Sequence, residues 1–357
     1  MVKADLTDMP NEALPEWPMF GLDEDVRPAL RRARETAPAL VLATLVRVDG
    51  GGPRPEGTQM VFAPGLVAGY FSGGCVEGDV AGHAQACLAD GEPRTLVYGE
   101  GSPWPDIRLL CGARIEIILE RLSAEDPALA EVLAAEAERR PITYASDGRR
   151  RVCGPEANLA GATVARRYDP VPRLVVVGGD PTALAIAELG VKSGFETTLV
   201  RPKGPEAPPP IAGVGYRRET PAAAFAAIGL DAWTSVAVAT HDLETDREAL
   251  MAVLPSDAAY VGLLGARRRL MGRLDELRAA GLAERDIARL HAPIGLDIGG
   301  KAPFEVAISV VGEMVALRYA RASGNTSTGS PSAAATAPAG RRSRASEAAN
   351  TLTSDES

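Results

Sequence analysis

A thiol and a carboxylic acid flank a glycine pair in Ser72-Gly73-Gly74-Cys75-Val76-Glu77, directly ahead of a run in which Val76, Val80, Ala84 and Leu88 recur every four residues. The recurrence predicts one apolar helix face ending near Gly91, which puts Cys75 at a helix start. Unpaired backbone N–H groups there favour an anion such as phosphate and depress the pKa of a thiol. The plainer alternative is a tight turn allowed by Gly73 and Gly74, with Cys75 a small buried residue. Cys111-Gly112-Ala113 precedes a second apolar stretch, Arg114 to Leu122, and a glycine at 112 would let the backbone approach a ligand closely. Cys75 and Cys111 facing one site would suit a soft metal or a sulfur-bearing ligand, although their spacing matches no zinc signature. Cys87 falls beside the apolar helix face and Cys153 in a polar loop, so neither receives a role. His83, two turns beyond Cys75, reads as a surface or capping histidine.

The second half carries a different set. Leu174 to Ala183 has the strand, turn and helix of a dinucleotide-binding unit, with Gly178 and Gly179 in the turn and Ala183 closing a G-x-G-x-x-A pattern. Its middle glycine is replaced by Asp180, whose carboxylate would repel a phosphate, and the next strand ends in Arg201 instead of a ribose-binding acid. A structural Rossmann unit and an NAD(P) site both remain open at this point. Thr240-His241-Asp242 follows an apolar strand, where His241 would serve as acid, base or ligand. Gly265-Ala266-Arg267-Arg268-Arg269 places arginines at a helix start, a mismatch with the helix dipole that a bound anion would offset; the alternative is a solvated charge run. The turn-rich stretch His291 to Gly300, with Asp297 in it, would close over a ligand from these edge loops. Phosphate-loop, G-x-S-x-G and H-E-x-x-H motifs are absent.

The elements that must position these residues fall into two units. Residues 25–145 alternate strand and helix without a parallel rhythm and predict a mixed α+β domain, including strands at Ala39 to Val48, Gln59 to Ala63 and Leu66 to Phe71. Residues 171–321 repeat strand and helix as an α/β, doubly wound parallel sheet requires. A closing helix, Pro303 to Arg321, has Phe304, Ala307, Ile308, Val311 and Val315 as its expected packing stripe. Residues 322–357 are Ser, Thr, Ala, Gly and Pro without apolar periodicity and predict a disordered tail. A length of 357 residues, 46% hydrophobic and 24% charged, suits two buried cores. A net charge of −9 argues against nucleic acid as partner, and no membrane span or leader is predicted, which gives the cytoplasm as the expected location.

In combination these stretches resemble the XdhC/CoxI family from roughly Thr36 to Arg321. Gly73-Gly74-Cys75-Val76-Glu77 and Cys111-Gly112 are similar to its N-terminal GGCxE and CGG elements, the second departing at Ala113. Arg173 to Gly179, Thr240-His241-Asp242, Gly262 to Arg268 and His291 through Glu313 resemble its Rossmann part. The latter stretch includes Pro293-Ile294-Gly295-Leu296 and the run at Glu305, Val306, Ala307 and Ser309. The resemblance implies a chaperone that binds a molybdopterin-type molybdenum cofactor, protects its sulfurated form, meets a cysteine desulfurase and serves a molybdenum hydroxylase apoenzyme of the xanthine or carbon monoxide dehydrogenase type. A homodimer is also implied. Carried over, Cys75 and Cys111 are the thiols nearest the molybdenum, with Gly73, Gly74, Glu77 and Gly112 shaping their niche. Gly178, Gly179, His241, Gly265, Arg267 and Asp297 belong to edge loops that would hold a phosphate or nucleotide part. The rival expectations are an NAD(P)-dependent oxidoreductase with His241 as acid/base, and a scaffold without a ligand.

Overall fold

The computed structural model describes residues 14–52, 54–102, 109 and 112–322, with the backbone alone at Arg267, Arg269 and Ala322. Cys111 and the expected disordered segment beyond Ala322 lie outside the described residues.

The first unit runs α1 (Arg27–Thr36), β1 (Ala39–Asp49), β2 (Gln59–Ala63), β3 (Leu66–Gly69), α2 (Glu77–Asp90), β4 (Arg94–Tyr98), β5 (Arg114–Ser123) and α3 (Pro127–Ala137). Strands β3-β2-β1-β5-β4 form one antiparallel sheet. The unbroken apolar run of β1 is explained by burial on both faces. Leu40 and Leu42 pack with Leu30 of α1 and Val132 of α3, while Val41, Ala43 and Leu45 pack with Val80 and Ala84 of α2. The strand expected to reach Phe71 stops at Gly69, which leaves residues 70–76 free to form the cysteine turn.

A further layer, β6 (Ile142–Ser146), β7 (Arg151–Gly154) and β8 (Val164–Tyr168), forms a three-stranded sheet ordered β7-β6-β8. Tyr144, Val164 and Tyr168 enter the same core as Leu40, so the first unit's packing draws on residues as far as Tyr168. Cys153, expected in a polar loop, lies instead on β7, half-buried, with its thiol 3.4 Å from the Ala128 carbonyl.

The second unit comprises β9 (Arg173–Gly178), α4 (Pro181–Lys192), β10 (Glu196–Val200), β11 (Val214–Arg217), α5 (Pro221–Ile228), β12 (Thr234–Ala239) and α6 (Leu243–Val253). It continues with β13 (Tyr260–Leu263), α7 (Arg267–Ala279), α8 (Glu284–Ile287), β14 (Leu290–His291) and α9 (Pro303–Ala322). The sheet is parallel in the order β11-β10-β9-β12-β13-β14, with its topological switch point between β9 and β12. Val175 and Val236 pack with α5 and α6 on one face, and Leu174 and Ala237 with α4 and α9 on the other, which makes the sheet doubly wound.

Helix α9 departs from its expected stripe. Ala307, Val310, Val311 and Met314 are buried, whereas Phe304 and Ile308 are exposed. Packing against α4 as well as the sheet turns the buried arc by about one residue. Arg139, in the turn after α3, ties the halves: its Nε lies 2.7 Å from Asp231 Oδ2, and its Nη1 donates to the Val171 carbonyl. Among the described residues no helix is long and apolar enough to cross a membrane.

Candidate functional site

The cysteine turn is built around an acid. Gly73 and Gly74 both have left-handed backbone, φ 104° and 96°, and curl residues 71–76 so that their amides converge. The Glu77 carboxylate fills that convergence: Oε1 accepts from the Phe71 and Ser72 amides at 2.9 and 2.6 Å, and Oε2 from the Gly74 and Val76 amides and the Ser72 hydroxyl. Ser72 Oγ in turn accepts from the Cys75 amide. Glu77 is buried, and burial raises a carboxyl pKa, but the Ser72 hydroxyl and the Ser72 and Phe71 amides outweigh it and hold the group below its usual range. The anion niche expected at this helix start therefore exists and is occupied by the chain's own side chain. Cys75 is left exposed at the rim. Gly112 has φ 71° and is exposed, and its partner Cys111 is outside the described residues. Among the described residues no group of three or more His, Cys, Asp and Glu is arranged to hold a metal ion.

Behind the turn, Tyr98 donates to Asp79 Oδ2 at 2.6 Å, and His83 Nε2 stands 3.6 Å from the same oxygen. His83 is thus a pairing residue one turn from Asp79 on α2, in keeping with its structural reading.

A second niche, at the switch point, is filled in the same way. Asp180 caps α4, its Oδ1 accepting from the Ala183 amide at 2.8 Å. Its Oδ2 lies 3.0 Å from His241 Nε2, so the turns after β9 and β12, with Gly178 and Gly179, meet through this pair.

The third helix start is different. Helix α7 begins at Arg267 after Ala266, with no side-chain cap, whereas α3, α4, α5 and α6 each start under an Asp or Thr acceptor. A cleft of about 350 Å³ opens at this end, lined by Thr240, His241, Leu243, Leu263, Leu264, Gly265, Ala266, Leu270, Arg273, Ala292 and Pro293. Arg273 is 17% exposed, and its Nη1 stands 3.0 Å from the buried Asp246 Oδ2 without hydrogen-bond alignment. Thr240 Oγ1 donates to Asp246 Oδ1 at 2.6 Å. Burial pushes the Asp246 carboxyl up, against the pull of that hydroxyl and the guanidinium. Uncapped amides and the His241 imidazole give the cleft donors for an anion, and the Arg273 guanidinium adds positive charge beneath them, its Nε and Nη1 buried and its Nη1 turned toward Asp246.

The far wall is held by Glu313 of α9, which accepts from the Tyr260 hydroxyl at 2.5 Å and the Gly295 amide at 2.8 Å and lies 3.0 Å from His291 Nδ1. That network fixes both ends of the segment carrying Ala292 and Pro293. Asp297, further along the loop, is exposed and is not among the residues lining the cleft.

His241 and Gly265 thus share one cleft, with Gly178 and Gly179 at the adjoining turn. Gly73, Gly74, Cys75 and Glu77 form a separate niche and do not line that cleft. Sequence reasoning missed Arg273 and Asp246. A signal was present: Asp246 shares the core face of α6 with Ala249, Leu250 and Val253, and a carboxylate there demands a cationic partner. The oxidoreductase expectation finds no support at the switch point, where Asp180 takes the Ala183 amide and pairs with His241.

Comparisons with known proteins agree with this architecture. Residues 174–314 match the family described as XdhC Rossmann domain, and residues 33–99 match the XdhC and CoxI family. The chain is 33% identical over 308 residues to the molybdenum cofactor insertion chaperone PaoD of Escherichia coli (strain K12), covering 83% of this chain and 90% of that protein. It is 27% identical to a probable xanthine dehydrogenase subunit of Bacillus subtilis (strain 168), over 78% of this chain and 93% of that one. A crystal structure described as a xanthine dehydrogenase from Bacillus halodurans shares the fold with a TM-score of 0.68 at 23% identity, covering 85% of this chain and 98% of that one.

Proposed function

The chain belongs to the XdhC and CoxI family, and from that premise we propose that it carries the molybdenum cofactor as cargo and delivers it to a xanthine dehydrogenase-type molybdoenzyme. The observation that carries this reading is the cleft at the uncapped start of α7. A pterin phosphate is an anion of the size such a cleft takes, and it would find backbone N–H groups from Arg267 onward, the Arg273 guanidinium and His241 around it. Gly265 lets it approach the main chain. Gly178 and Gly179 shape the adjoining turn, and Asp297 lies on the loop that would meet the cargo's outer edge.

The soft end of the cargo would face thiols. In this proposal Cys75, displayed by the turn at Gly73-Gly74, and Cys111 are the groups that meet molybdenum and its sulfur ligands. Glu77 acts one step back, holding the turn that displays Cys75. The finer proposals are that the chain shields the sulfurated form of the cofactor, meets a cysteine desulfurase, acts as a homodimer and serves a xanthine- or carbon monoxide-oxidising client.

The test is anaerobic titration of the purified chain with molybdenum cofactor, comparing wild type with Arg273→Ala and Cys75→Ala after thermal melts establish that each is folded. Saturable binding weakened about tenfold by Arg273→Ala is expected, the size of one charge-assisted contact. Absence of saturable binding, or binding indifferent to Arg273, sinks the reading.

A further inference from the structure

We infer that Asp180 is a specificity-determining residue: its side chain closes the switch-point crevice of this Rossmann sheet to ligands bearing a pyrophosphate. In a dinucleotide-binding sheet the second glycine of the turn leaves room for the pyrophosphate, and the first amides of the following helix bind it. Here each of those provisions is withdrawn by a particular residue.

Asp180 stands at the second-glycine position and puts a carboxylate where the phosphates would lie. Its Oδ1 takes the Ala183 amide at 2.8 Å, one of the donors a pyrophosphate would use. The residue between, Pro181, is the first of the helix and has no N–H to offer. Oδ2 is held by His241 Nε2 at 3.0 Å, which fixes the carboxylate across the gap between the β9 and β12 turns. Arg201 lies across the turn from the other side, so close that a Cβ built on Gly179 would stand 2.4 Å from its Cδ. The carboxylate therefore serves as an internal stand-in for the anion that this helix start would otherwise attract. The crevice adjoins the α7 cleft, and His241 lines the cleft while it holds Asp180, so the inference is read with pyrophosphate ligands and not with the cargo.

The experiment is a gain of binding. Full-length wild type, Asp180→Gly and the double variant Asp180→Gly/Pro181→Ala are titrated with NADPH, NADH and inorganic pyrophosphate by calorimetry. Wild type is expected to bind none of them saturably. The glycine variant gains affinity by about tenfold or more, the scale of one relieved like-charge contact, and the double variant gains further because an amide is restored. NADPH is favoured over NADH, since Arg201 directly follows β10, the strand whose tip would face the ribose, and would pair with a 2′-phosphate. If the glycine variants fail to fold, Asp180→Asn carries the same comparison, because it keeps the shape of the cap and loses the charge. Wild type binding NADPH as tightly as the variants, or variants that gain nothing, overturns the inference. Titration with molybdenum cofactor on the same proteins is a separate readout, so failure here and failure of the cargo reading are told apart.

Discussion

Replacing Glu77 by Gln tests whether the cysteine turn is organised from within. Gln keeps one oxygen. If that oxygen stays on the Phe71 and Ser72 amides, the NH2 group confronts the Gly74 and Val76 amides and the Ser72 hydroxyl. Val76 retains Ser72 Oγ at 3.2 Å, and the hydroxyl can rotate away, so the irreducible loss is the Gly74 amide plus the charge on the surviving bonds. Gly74 is exposed, so its lost bond to a charged group counts at its net value, about 1.5–3 kcal/mol, and two charge-assisted bonds reduced to neutral ones cost about another 1 kcal/mol together. The expected destabilisation is about 2–4 kcal/mol, or roughly 5–10 °C in the melting of the first unit, read by calorimetry. The pH dependence has a fixed sign. The folded carboxyl titrates below its ordinary 4.5, so its contribution is complete above that value and is lost as pH falls through the folded pKa. The gap between wild type and Glu77→Gln should therefore be constant near neutrality and close in acid. Glu77→Ala should empty the niche, and sulfate should then raise its melting temperature more than that of wild type. A Gln variant within about 0.5 kcal/mol of wild type, the range of neutral surface changes, or a gap that widens on acidification, refutes the reasoning.

Other expectations follow from the same geometry. Alkylation under native conditions should label Cys75 before Cys87 and Cys153, because it is exposed, whereas Cys87 is buried and burial pushes the Cys153 thiol up to about 12; mass spectrometry of the digests reads the order. Glu313→Ala leaves the Tyr260 hydroxyl, the Gly295 amide and His291 without their shared acceptor and should cost about 3 kcal/mol or more by denaturant melts. Burial raises the Glu313 carboxyl, but the bonds from His291 and Tyr260 win and hold it low, so the effect should fade only as pH falls through that lowered value. Arg139→Ala removes the guanidinium that, with Thr234 and the Trp233 amide, overcomes burial to depress the Asp231 carboxyl; an NMR titration should find Asp231 shifted upward in the variant.

The fold was legible where periodicity was strong. The parallel sheet announced itself through apolar strands at regular spacing, and the α2 face through Val80, Ala84 and Leu88, all buried. The small sheet escaped notice because β7 and β8 are short and rich in arginine: Val164 and Tyr168 are buried, but Arg166 and Arg167 between them mask the alternation. Helix α9 misled for another reason. A helix carrying Phe304, Val306, Ala307, Ile308, Val310 and Val311 is apolar nearly all round, and only its packing on α4 selects the buried arc. At the candidate site, residue types were readable and partners were not. Glycine, acid and helix start marked both anion niches, but nothing in the spacing said that the acid would be the occupant.

That last point bears on how such a chain chooses a ligand. Among the described residues, helix starts that follow a glycine-bearing turn include α2, α4, α7 and α9, and at α9 Glu305 Oε2 accepts from the Lys301 and Ala302 amides. At α2 the acid lies one residue past Val76 and folds back; at α4 it caps the helix and bridges to His241. Each arrangement satisfies donors that would otherwise attract a phosphate, and each leaves a negative charge where a second anion would have to sit. Of these starts, α7 has no acidic side chain on its amides, whereas Glu77, Asp180 and Glu305 each take up amides at theirs, and the acid near α7, Asp246, is buried beneath the cleft and matched by Arg273. Selectivity among these starts follows from where the carboxylates stand, since the backbone geometry alone would make all of them competent. A substitution that moves a carboxylate should therefore move the anion, which is why charge removal at Glu77 and Asp180 is expected to create binding where charge removal at Arg273 weakens it.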